Sequence, residues 1–241
     1  MTVNEMLPFI SSAIMLAFVA VVLRRWWRRK APHMLVWGIG LSMFTVGTLM
    51  EAYSALVWND VAFRAWYLSG AMLTAAWIGQ GSVYLLAKRP IPHATLAILV
   101  VVSVVSLYGI ASLPLDTSAA SIDLSLSEQY RDIMPSTWVR FPTTMILNIY
   151  GTLALVGGAL YSAWLFWRKR VLKDRMWGNI LIATGALSTA SAGTLSRLGY
   201  GEFLYLSELL AAVLMFAGFI VASRRGGQEP TTADRAETAA D

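Results

Sequence analysis

Long apolar blocks constrain this chain more than any other feature. Residues 93–113 carry no charged side chain after His93, and residues 34–57 carry only Glu51. Uninterrupted apolar runs of about 18 residues or more read as membrane-spanning helices, because a bilayer offers no partner to an exposed peptide group. Seven such blocks are legible, over about 7–23, 34–57, 66–87, 93–113, 143–167, 176–198 and 203–223. The expected fold is an all-α membrane protein with seven transmembrane helices over residues 1–223. The polar, small-residue-rich end, residues 224–241, reads as a disordered cytoplasmic tail. A composition 57% hydrophobic and 14% charged agrees, being too apolar for an ordinary soluble domain.

Basic residues set the orientation. The first, third and fifth loops and the tail hold fifteen of the nineteen, among them Arg24, Arg25, Arg28, Arg29 and Lys30, and Arg168, Lys169, Arg170, Lys173 and Arg175. The other side holds Arg64, Arg131, Arg140 and Arg197. This alternation puts the N-terminus outside and the C-terminus in the cytoplasm of a cell membrane. The net charge of +5 follows from that topology, so no nucleic-acid partner is expected. With no basic residue before the first apolar run, a cleaved signal peptide is not expected either. Trp26, Trp27, Trp164 and Trp167 beside these cations fit anchoring at the lipid headgroups, which makes membrane lipids the first partners.

Three short matches recur in the same order. "WRRK" at Trp27 echoes "WRKR" at Trp167, "GTLME" at Gly47 echoes "GTLSR" at Gly193, and "WYLS" at Trp66 echoes "LYLS" at Leu204. They suggest a 3+1+3 arrangement: two parallel triplets joined by an extra helix that keeps them in one orientation.

The membrane-depth charges carry the functional reading. With the N-terminus outside, Glu51 and Arg197 fall near the outer ends of the second and sixth helices. Glu208 falls about 7 Å inside the seventh. Tyr67, Asn148 and Tyr205 belong to the same layer. Gly40, Gly47 and Glu51 share one face of the second helix, and Gly185, Thr189, Gly193 and Arg197 one face of the sixth. Small residues at that spacing let backbones approach, so the charges should project from packed faces. The candidate ligand or proton pocket is therefore Glu51, Arg197, Glu208, Tyr67, Asn148 and Tyr205. A purely structural ion cluster fits the same residues. Below this layer only Gln80 and scattered hydroxyls are polar. The outer loop, residues 114–142, is acidic and expected to cover the pocket, and "SIDLSLS" within it alternates like a strand.

Other chemistry finds no support. The chain lacks cysteine, its two histidines (His33, His93) lie on separate loops, and "GQGS" at Gly79 has no histidine beside it. No catalytic residue, metal site, cofactor or enzymatic activity is expected.

Trp37, Glu51 and "FRAWYLSGAMLTAAWIGQGSVYLL" at Phe63–Leu86 resemble small prokaryotic seven-helix membrane proteins of uncharacterised role. More loosely, they resemble the seven-helix sensor regions of bacterial histidine kinases. The resemblance covers the second and third helices and implies a sensor or receptor-like role, with a separate cytoplasmic signalling partner because no kinase domain follows. Microbial rhodopsins share the seven-helix layout, but the seventh helix here has no lysine to bind retinal. Two alternatives remain open at this level: a transporter of a small solute or protons, and a structural subunit of a larger membrane complex.

Overall fold

The computed structural model describes residues 3–121, 124–170, 172–197 and 203–223, and the side chains of all of these except 3–5, 192–197 and 203. Arg197 ends a helix, but its side chain lies outside the described residues. So do the turn at Gly199–Gly201 and the tail read as disordered.

The described residues are helical, with no strand. The long helices are α1 (Val3–Arg29), α2 (Pro32–Ser54), α3 (60–86), α4 (Ile91–Ser112), α5 (Val139–Arg168), α6 (Lys173–Arg197) and α7 (Phe203–Ala222). Five of them, α1, α2, α4, α5 and α7, are long and apolar enough to cross a membrane. Their windows are only 17–50% buried, so much of this apolar surface faces outward and needs lipid around it. Leu107, Ile146 and Leu153 are examples, each more than half exposed. This is the surface of a helical membrane protein.

Local chemistry sets the helix ends. Lys30 adopts a left-handed φ of 51° and Pro32 opens α2, so α1 reverses into α2 within two residues. The Asn59 side chain accepts from the Ala62 N–H and starts α3. Within α3, residues Trp66–Leu73 widen into a π-helical segment, and the Thr74 hydroxyl donates to the Ser69 carbonyl at its end. A second π segment, Val139–Thr143, opens α5 at Pro142, which has no N–H to give the regular ladder.

Among the described residues, α1, α2, α3, α5, α6 and α7 pack in that order into a closed ring, with α7 returning to α1. α4 stands outside it, packed on α3 and the start of α5. Met15, Phe18, Leu41, Phe44, Leu155 and Met215 fill the ring's interior. Backbones meet closely where glycines fall: a Cβ on Gly151 would lie 2.2 Å from the Ala75 carbonyl carbon, and one on Gly178 would lie 2.5 Å from the Ala222 nitrogen. Gly79 belongs to the first of these contacts, so "GQGS" is a packing motif.

The outer loop departs from its strand-like pattern. Residues Leu126–Ile133 form a helix, because Ser125 and Glu128 make a reciprocal capping box. The helix takes in Leu126 and Ser127, the last two residues of "SIDLSLS", and the loop shows no strand among its described residues.

Candidate functional site

Glu51 sits one turn from the end of α2, 2% exposed, at the ring end away from the basic loops. Its carboxyl faces that of Glu208 on α7, and the Trp66 indole of α3 borders it. Neither Glu51 oxygen makes a well-aligned hydrogen bond to a donor, although the Trp66 indole and the Glu208 carboxyl stand beside it, and the same holds for Glu208 Oε2 and for the Ser54 hydroxyl, one turn further along α2. Glu208 is half-buried overall, but that oxygen is sealed from solvent. No basic side chain among the described residues pairs with either carboxyl.

Buried polar groups are nearly always satisfied, so this cluster of orphaned oxygens is exceptional. Two carboxylates about 4 Å apart repel by roughly 4 kcal/mol at an effective dielectric near 20, with desolvation to be added. One proton held between two carboxyls removes the repulsion and supplies a donor. The pair can therefore do proton chemistry that neither group would do alone.

Helix packing brings these groups together. Gly47 and Gly40 turn the glycine face of α2 onto α3, where a Cβ on Gly40 would lie 2.7 Å from the Ile78 nitrogen. One turn before Glu51, the Ser12 hydroxyl of α1 donates to the Thr48 hydroxyl at 2.9 Å. On the α7 side, Gly185 of α6 packs against Met215 and Leu214, which fixes α7 against α6.

The other candidates divide. Tyr205 is half-buried on α7, one turn before Glu208. Tyr67 and Asn148 belong to the seam between α3 and α5. The Tyr67 hydroxyl donates to the Arg140 carbonyl at 2.9 Å and shares a hydrogen bond with Thr144 at 3.2 Å. Asn148 Nδ2 donates to the carbonyls of Ala71 at 2.8 Å and Thr144 at 3.0 Å. Both hold the π segments of α3 and α5 together, because the irregular ladder frees carbonyls that need donors.

Trp66 was not among the expected pocket residues, and the outer loop expected to cover them carries a helix rather than a strand-like segment. Trp66 borders Glu51 directly; its place beside Tyr67 in "AWYLSG" was the available signal. Above it lies the loop helix Leu126–Ile133, whose Tyr130 ring stands 6.3 Å from Trp66 and 5.7 Å from Tyr67. The Arg140 guanidinium covers Tyr130 at 5.6 Å. The acidic loop thus packs over α3 beside the carboxyl pair through aromatic contacts rather than through its charges.

Gln80 is fully buried and committed: Nε2 donates to the Pro92 carbonyl at 2.8 Å and to the Thr95 hydroxyl at 3.0 Å, while Oε1 accepts from Tyr150. It ties α4 and α5 to α3, so the isolated polar group in the dry half of the molecule is a structural pin.

No protein-family model, no curated protein and no solved structure matches this chain.

Proposed function

We propose that this is a receptor-like, seven-span membrane protein that senses protons through the Glu51–Glu208 pair. The observation that carries the reading is the Glu51 carboxyl, buried without a well-aligned donor against a second carboxyl. When the pair holds a shared proton, α2 and α7 close on each other. When it loses that proton, like charges press the two helices apart. α7 is packed along α6, so the displacement reaches the basic segment between α5 and α6, which would present it to a cytoplasmic partner. The resemblance of α2 and α3 to sensor regions points the same way.

In this reading α3 and α6 complete the seven spans. They carry more polar residues than the other five, but at about 40 and 37 Å they are long enough to cross. The excess of Lys and Arg on one side places the N-terminus outside and the C-terminus in the cytoplasm. The ring order supports a 3+1+3 repeat, since α1–α2–α3 and α5–α6–α7 follow one another around it while α4 stands aside.

A sensor fits better than a transporter because Leu41, Phe44 and Leu155 fill the interior on the way to the basic end. Infrared titration in reconstituted membranes tests the proposal. A protonated-carboxyl band is expected at neutral pH and should disappear in both Glu51→Gln and Glu208→Gln. Two fully ionised carboxylates at pH 5 would end the proposal. Vesicle assays should detect no proton flux; a flux abolished by Glu51→Gln would make the protein a transporter.

A further inference from the structure

The carboxyl pair does not stand alone at the outer end of the ring. Among the described residues three buried hydroxyls, Ser11, Ser54 and Ser106, are sealed from solvent without a partner. Ser106 lies on α4, outside the ring, but Ser11 and Ser54 belong to the same end as Glu51. Other hydroxyls on these two helices turn back onto their own backbone: Ser12 donates to the Pro8 carbonyl, Ser42 to that of Gly38 and Thr45 to that of Leu41. Ser11 and Ser54 make no such bond.

Helix register brings Ser11 to the pair. The Ser12–Thr48 hydrogen bond fixes α1 against α2. From that level Ser11 lies about 1.5 Å, and Glu51 about 4.5 Å, nearer the outer end, so the two differ in depth by only about 3 Å. Ser11 recurs with Met15, Phe18 and Val22 at intervals of four, three and four, and those three face the ring's interior. Ser11, fully buried, therefore faces inward too. Because α1 packs between α2 and α7, an inward group on it at this level points between the helices of Glu51 and Glu208. Ser54 follows Glu51 on α2 by three residues and is 4% exposed.

Five oxygens at one end of the ring thus lack a well-aligned partner: both of Glu51, Oε2 of Glu208, and the hydroxyls of Ser11 and Ser54. A proton shared by the carboxyls serves only two of them. A cation serves them all, since each can turn a lone pair to it at once, and an all-oxygen set suits a hard ion. Magnesium keeps several waters and calcium takes about 6–8 oxygens, so neither suits five oxygens sealed from water. A bare sodium ion is smaller than a water molecule, whereas potassium is about as large as one. We propose that the outer end of the ring binds a sodium ion between Glu51 and Glu208, with Ser11 and Ser54 completing its coordination. This inference rests on the proton-sensing reading, because the ion takes the place of the shared proton. Sodium enters, the proton leaves to solvent, and the net charge of the pair is the same before and after. Sodium then holds α2 against α7 as the proton does.

The test is infrared difference spectroscopy of the full chain in reconstituted membranes at pH 7, exchanging potassium chloride for sodium chloride at constant ionic strength. Sodium should bleach the protonated-carboxyl band and release about one proton per chain, read with an indicator dye in weak buffer. Ser11→Ala and Ser54→Ala keep both carboxyls, so each should retain the band in potassium. Each should need about three- to tenfold more sodium to bleach it, the worth of one neutral polar contact. A band present in potassium and unmoved by sodium overturns this proposal and leaves the proton pair standing; a band absent in both salts overturns the two together. An equal response to both salts, or wild-type sodium dependence in both serine variants, also overturns the site.

Discussion

Gly47 of α2 and Gly70 of α3 meet backbone to backbone: a Cβ on Gly47 would lie 2.6 Å from the Gly70 Cα. The contact sits one turn from Glu51 and sets how close α2 comes to the Trp66 π segment. Gly47→Val has no flexible neighbour to displace, so it should cost about 1–3 kcal/mol, the usual range for overpacking. Gly157→Ala, where a Cβ meets nothing within 4 Å, should be close to neutral. Thermal unfolding of both variants in detergent checks the difference.

The carboxyl pair separates function from stability. Replacing a buried charge by a neutral group of the same shape is often tolerated, so Glu51→Gln should fold and shift stability by no more than about 1 kcal/mol. It should nevertheless remove any pH-dependent change in the exposure of the segment between α5 and α6. Limited proteolysis of that segment at pH 5 and pH 8, in wild type and variant, reads this directly. A pH response that survives in Glu51→Gln would detach the pair from signalling.

Gln80 should behave as a pin for α4. Gln80→Leu removes its hydrogen bonds to Pro92, Thr95 and Tyr150. At about 0.6–1.5 kcal/mol per bond, a loss of roughly 2–4 kcal/mol is expected, concentrated in α4. Hydrogen exchange should rise over residues 91–99 before it rises in the ring helices. Tyr150→Phe should produce a smaller change of the same kind.

Arg64 holds the other end of α4. Its Nη2 donates to the Leu113 carbonyl at 2.7 Å and its Nη1 to that of Ile110, so it satisfies carbonyls that a helix end leaves unpaired. Arg64→Ala should fray the last turn of α4 at a cost of about 1–3 kcal/mol. Faster exchange at residues 110–115, with Gln80 contacts unaffected, is the expected pattern.

The loop helix should report on its cap. Ser125→Ala removes one half of the capping box and should destabilise Leu126–Ile133 by about 1 kcal/mol. Tyr130→Ala removes the ring that covers Trp66 and should make tryptophan emission more sensitive to an aqueous quencher. Unchanged quenching would mean that Trp66 is shielded by α3 and its neighbours rather than by the loop.

Several properties of this protein follow from the order of its residues alone. Apolar length determined the membrane-crossing helices, because a bilayer imposes its thickness on any segment that spans it. Spacing determined that Gly40, Gly47 and Glu51 share a face, because a helix repeats every 3.6 residues whatever surrounds it. Residue order does not say which neighbour a face will meet. That Glu51 meets Glu208, that Tyr67 and Asn148 join the α3–α5 seam, and that α4 stands outside the ring were decided by tertiary packing. Strand-like alternation gave way to a helix at Leu126 and Ser127 for the same reason: a cap and a packed aromatic face outweigh a short local pattern. The unpartnered oxygens at the outer end are the extreme case, since Ser11, Glu51 and Glu208 have nothing in common until α7 closes the ring on α1.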